Sequence, residues 1–210
     1  MRIITISREF GSGGRELGKR LADALGFSYY DKEIISAIAK ESNFDENYVE
    51  ETLMRGLTPN YTLTFGHTFA FGPDPIMQNE LKILNLQQEI IRELAKKGDC
   101  VMVGRTSGSI LEEDFHPLKI FVYADLASRL ERCRSRADAS EHLTDRELEK
   151  KIRQIDEGRA RHQRLFTDKK WGARENYHLC INTTGLNIRD IIPSVKDYAL
   201  AWFAQSAPKS

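Results

Sequence analysis

The sequence predicts an α/β protein built on a doubly wound parallel sheet, and three observations carry that expectation. Five short apolar runs alternate with stretches of helical period, the pattern of parallel strands joined by right-handed crossovers. The first run passes through a glycine-rich turn, Gly11 to Gly14, straight into a helix. The chain of 210 residues suits one compact domain, 1–210, with room for a mobile subdomain.

Each element follows from local pattern. Ile3-Ile4-Thr5-Ile6 is β-branched and apolar, and reads as a buried strand. Leu17, Leu21 and Leu25 recur four apart on one helix face, and Gly26 stops that helix. Between strand and helix, glycines let backbone N–H groups turn inward on an anion, and the helix dipole adds to the pull. The turn therefore reads as a phosphate site, with an ordinary strand-to-helix connection as the alternative. Phe27 to Tyr30 is a short second strand. Asp31 after it either caps the helix of Ile34, Ile35, Ile38 and Ala39 or contacts a ligand. Asp45 caps a further short helix ending at Gly56. From Leu57 to Pro75 no helical period is visible, and Tyr61, Phe65, Phe69 and Phe71 suggest a hairpin. Its rings either stack on a base or pack against the domain or a second subunit, so a homo-oligomer stays open.

Glu80 to Lys97 reads as a helix with Leu84, Ile91 and Leu94 on its apolar face. The third strand, around Cys100 to Val103, leads into Gly104-Arg105-Thr106-Ser107-Gly108. Leu118 to Tyr123 is the fourth strand. Asp125 then opens a helix expected to turn Leu126, Leu130 and Cys133 inward and Arg129, Arg132, Arg134 and Arg136 outward. Thr144 to Glu147 forms a capping box at the head of a long polar helix. His178 to Asn182 is the last strand, and Asn187 caps a terminal helix that Pro193 should kink.

Composition narrows the function. Lys+Arg and Asp+Glu are both 31, which argues against non-specific nucleic-acid binding. Basic residues are in local excess over 129–174, suiting either a small anionic ligand or a solvated charged helix. Cys100, Cys133 and Cys180 lie far apart without a C-x-x-C pair, which suggests a reducing compartment and no metal cluster. Met1 leads directly into the first strand and no long apolar segment follows. The expectation is a cytoplasmic protein without a membrane partner.

Ser7-Arg8-Glu9-Phe10-Gly11-Ser12-Gly13-Gly14-Arg15 resembles the P-loop of nucleoside monophosphate kinases, most of all that of the cytidylate kinase-like family. Gly104, Arg105 and Gly108 match the family's D-G-R-D-x-G turn, and Asp156 with Arg159 matches a D-x-x-R of its lid. Asn182-Thr183 stands at the D-[ST] of its last strand. The departures are specific. Gly14 takes the place of the phosphate-binding lysine, Glu16 that of the Mg²⁺-binding hydroxyl, and Val103 that of an aspartate.

The resemblance implies strand order 2-3-1-4-5, a lid over 134–165 and an acceptor-side insertion over 40–80. It implies phosphoryl transfer from ATP with Mg²⁺ to a small acceptor, most simply a nucleoside monophosphate such as CMP. Gly11, Ser12, Gly13, Gly14, Arg8, Arg15 and Glu16 would hold donor phosphates, and Asp31 and Arg105 the acceptor. Arg15, Arg159 and Arg161 would serve catalysis, and Glu16 would ligate Mg²⁺. Two alternatives remain open: a nucleotide- or phosphate-binding module with little transfer, and a kinase for a non-nucleotide small molecule.

Overall fold

The computed structural model describes residues 1–55, 75–137 and 143–206. It contains five parallel strands: β1 (Ile3–Arg8), β2 (Ser28–Tyr30), β3 (Cys100–Val103), β4 (Leu118–Tyr123) and β5 (Leu179–Asn182). They lie in the order β2-β3-β1-β4-β5, as expected, with β1 at the centre. The helices are α1 (Gly14–Leu25), α2 (Lys32–Ser42), α3 (Glu46–Arg55) and α4 (Pro75–Lys96). After β3 come α5 (Ser107–Ile110) and α6 (Glu112–Phe115), then α7 (Leu126–Arg134), α8 (Asp145–Arg164) and α9 (Ile188–Ser206).

The sheet is buried on both faces, which is why its strands read as continuous apolar runs. Successive residues serve opposite cores. Ile3, Cys100 and Met102 pack with Ile34 and Ile38 of α2, Leu53 of α3 and Ile83 and Ile91 of α4. Ile4, Ile6, Val101 and Val103 pack instead with Leu17 and Leu21 of α1 and Ile188, Ile192 and Val195 of α9. Both cores leave the carboxyl ends of β1, β2 and β3 open, the edge where open α/β sheets take ligands.

Several local expectations shift. α4 spans Pro75–Lys96 among the described residues, so helix already precedes Glu80. Asp31 sits at the N-cap position of α2 but its side chain makes no capping bond; Glu33 accepts from its N–H instead, at 3.0 Å. Arg129, expected on the outer face of α7, is the residue that α7 buries. α9 runs through Pro193 to Ser206. The capping box holds, with Thr144 and Glu147 bonding reciprocally. The expected hairpin around Tyr61 to Phe71 lies outside the described residues, as do residues 56–74 of the 40–80 insertion.

Candidate active site

Two loops at the carboxyl edge build the site. The first follows β1. Gly11 takes φ +80, and a Cβ there would stand 2.8 Å from the Arg129 carbonyl oxygen, so only glycine lets the loop pass α7 this closely. Gly13 is the N-cap of α1, at φ 84, and provides no capping side chain. The first-turn N–H groups of α1 therefore keep their capacity for an anion. The Ser12 hydroxyl turns back to the Glu9 carbonyl at 2.9 Å, leaving Ser12 a backbone role.

The rest of the loop is clamped from α7 and α8. Phe10 donates its N–H to Asp156 Oδ1 at 2.8 Å, and its carbonyl accepts from Arg129 Nε at 2.6 Å. Arg129 also pairs with Asp156 and, at 3.2 Å, with Glu9. Arg159 donates to the Arg8 carbonyl at 2.9 Å and to Asp156 at 3.2 Å, with its guanidinium 5.6 Å from the Phe10 ring centre. Asp156 thus ties one loop to two arginines on different helices.

The second loop follows β3. Gly104 takes φ +77, and the Arg8 side chain lies so close that an added Cβ would fall 1.8 Å from its Nη1. Arg105 and Thr106 follow at φ 55 and 56. Left-handed backbone is uncommon for non-glycine residues and an outlier for a β-branched one. Arg105 points to Glu50 of α3, at 3.3 Å.

These loops bring four arginines together, from β1 (Arg8), α1 (Arg15), the β3 turn (Arg105) and α8 (Arg159). Burial, then the charge of Arg159, pushes the Arg8 guanidinium well below its ordinary value. Burial pushes Arg159 down to about 10 against the support of Asp156, and Arg105 and Arg15 add to the depression. Asp31 is 4% exposed and lies behind this cluster. Its Oδ2 is 2.5 Å from Arg15 Nε, and its Oδ1, 3.8 Å from Arg8, makes no hydrogen bond. It lines neither cavity, so it braces the arginines from the rear instead of facing a ligand.

Two cavities flank the cluster. One, of about 290 Å³, lies over Gly11, Gly13 and Gly14 and is walled by Arg132, Arg136 and Lys151. The other, of about 190 Å³, is walled by Arg105, Glu50, His162 and Trp171. Arg8, Phe10, Arg15 and Arg159 line both and form the wall between them.

Two expected site residues are placed elsewhere. Arg161 lines neither cavity and lies 4.0 Å from Glu157 on the exposed side of α8, because it is two positions round the helix from Arg159. Glu16 accepts from Arg20 at 2.7 Å and also pairs with Arg136. Burial pushes its carboxyl up, but Arg20 and Arg136 outweigh that and hold it below the usual range. Both oxygens face arginines, so Glu16 does not fit a Mg²⁺ ligand here. Among the described residues no cluster of three or more His, Cys, Asp or Glu could hold a metal.

Sequence reasoning missed Arg129, Glu50, His162 and Gln87. Gln87 did carry a signal. It is fully buried on the apolar stripe of α4, three residues after Leu84 and four before Ile91, where a polar side chain needs a partner.

A parallel sheet in this order, with a glycine loop leaving its central strand for a helix N-terminus, defines the P-loop kinase fold. The chain belongs to the cytidylate kinase-like family, whose sequence profile matches residues 3–185. Among solved structures it is similar to a protein of Eubacterium ventriosum at 21% identity, with a TM-score of 0.67 and coverage of 95% of this chain and 98% of that one. It is also similar to the shikimate kinase of Acinetobacter baumannii (16% identity, TM-score 0.53, 100% and 96% covered). The shikimate kinase of Aquifex aeolicus gives 17% identity and a TM-score of 0.53, with 97% and 98% covered. No curated protein matches the chain. Family and fold together support a kinase-type phosphotransferase. No helix among the described residues is long and apolar enough to cross a membrane.

Proposed function

We propose that this protein transfers a phosphoryl group from ATP to a small anionic acceptor, most simply a nucleoside monophosphate such as CMP. The observation that carries the reading is the pair of cavities meeting at one arginine wall. Phosphoryl transfer asks a protein mainly for positioning and charge neutralisation, and a shared cationic wall between two anion sites provides both.

In this reading the donor phosphates lie over the uncapped start of α1, with Arg132, Arg136 and Lys151 around them. The acceptor's anionic group lies in the smaller cavity against Arg105 and Arg8. Arg15 and Arg159 stand between the two and stabilise charge on the group in transit, the part the absent lysine would have played. Burial and the neighbouring arginines disfavour the charged form of the Arg8 and Arg159 guanidiniums, so an entering anion relieves a standing electrostatic cost. Mg²⁺ carried on the nucleotide's own phosphates is compatible with this site, while direct ligation by Glu16 is not in this conformation.

One observation favours a second reading. With Gly14 at the lysine's place and Glu16 held by Arg20 and Arg136, the chain would bind a nucleotide without fast transfer. Small hydroxy acids belong in any acceptor panel, because a neighbour on the same fold, from Acinetobacter baumannii, was solved with shikimate. Calorimetry tests the two-site geometry. ATP should bind with one site per chain, and a CMP or hydroxy-acid acceptor should still bind when ATP is saturating. Acceptors that only compete with ATP would refute it.

A further inference from the structure

We propose that His162 is a positioning residue that holds the Arg105–Thr106 turn in its strained shape and couples it to α8, the helix that carries Arg159. This rests on reading Arg105 as part of the acceptor cavity.

Gln87 donates its Nε2 to the Arg105 carbonyl at 3.1 Å, which leaves its Oε1 as an acceptor, 3.1 Å from His162 Nε2. His162 Nε2 must then carry the proton. Its Nδ1 is consequently an acceptor, and the Thr106 hydroxyl at 2.8 Å donates to it. Every polar atom of the chain Arg105 O, Gln87, His162, Thr106 has a defined role, and the ring is only 6% exposed. The network bonds both non-glycine residues of the turn that hold positive φ, Arg105 by its carbonyl and Thr106 by its side chain. Strained backbone persists only where its surroundings over-determine it. His162 belongs to the same helix as Asp156 and Arg159, so a displacement of α8 reaches Arg105 through these bonds. Packing against Phe166, with ring centres 5.2 Å apart, fixes the imidazole in place.

The test needs no known substrate. Arginine modification by phenylglyoxal, mapped by peptide mass spectrometry, reports how firmly each guanidinium is held. Arg105, 14% exposed in its side chain, should react at least tenfold faster in His162→Phe, which keeps a ring and removes both bonds. Thr106→Val should do the same and Thr106→Ser should behave like the parent. Buried Arg129 should be unchanged throughout and serves as the control for general loosening. If His162→Phe does not fold, Thr106→Val decides. Unchanged Arg105 reactivity in the folded variants, or equal acceleration at Arg129, overturns the proposal. So does ¹⁵N NMR of the parent showing the proton on His162 Nδ1. Inorganic phosphate is then added to the parent. If it does not protect Arg105 while the His162 effect persists, the acceptor reading fails and the positioning role stands.

Discussion

The loop after β1 and the turn after β3 lie side by side at one edge of the sheet, yet they reach similar backbone conformations by opposite means. The first uses glycines, for which positive φ costs nothing, and is then clamped through Phe10 by Asp156 and Arg129. The second places Arg105 and Thr106 where glycine would be easier, and holds them with Gln87 and His162. The difference follows from what each must present. In the proposed function the first loop binds with its backbone and can drop its side chains, while the second binds with a guanidinium and must keep one and carry the strain.

Four expected outcomes bear on that contrast. The largest concerns the wall that both regions share. Arg159→Ala should lower the proposed transfer by about 10³-fold, the lower end of what a transition-state arginine contributes, measured as turnover at saturating ATP. A variant within tenfold of the parent would remove Arg159 from the reaction. Next comes the clamp. Asp156→Ala removes one of the two carboxylates that face Arg129, 10% exposed in its side chain, and leaves it Glu9 alone. Loss of one partner from such a pair should destabilise the protein by about 3 kcal/mol in urea unfolding. A loss below about 1 kcal/mol, as for a surface pair, would show the clamp is not structural.

The third outcome separates the two loops directly. Gly11→Ala meets the Arg129 backbone, which cannot give way, and should cost about 1–3 kcal/mol of stability. Gly104→Ala meets the far end of the Arg8 side chain, so displacement of Arg8 should weaken anion binding more than Gly11→Ala does. The reverse order in paired melts and phosphate titrations would invert the account. The fourth outcome is in pH dependence. Burial pushes the His162 imidazole from 6.5 down to about 3, so the unfolded chain binds its proton first as pH falls. His162 therefore contributes a stability that is complete above pH 6.5 and is lost progressively between pH 6.5 and 3, by at most about 1.4 kcal/mol per pH unit. His162→Phe should flatten that part of the stability curve; an identical curve would show that the imidazole titrates normally.

The sheet, its order and the glycine loop were legible because each is written in a short window, as strand runs and a turn between strand and helix. The arginine wall was legible only in part. Arg8 and Arg15 lie within the motif and Arg159 within the lid match, but Arg161 and Arg159 are indistinguishable by composition and face different ways on α8. Arg129 was misplaced because helical period shows which residues share a face but not that a carboxylate from α8 waits on the buried one. Asp31 shows the same limit. Its capping position was correct in sequence, while its carboxylate answers to two arginines brought there by tertiary structure.

In the proposed function the wall of Arg8, Phe10, Arg15 and Arg159 separates a donor site from an acceptor site across which a phosphoryl group passes. Incubation with ATP labelled at the γ-phosphate, Mg²⁺ and a panel of nucleoside monophosphates and small hydroxy acids tests it most directly. The account predicts label on one class of acceptor, dependent on Arg159. ATP bound in calorimetry with no label reaching any acceptor would contradict transfer and leave a nucleotide-binding module.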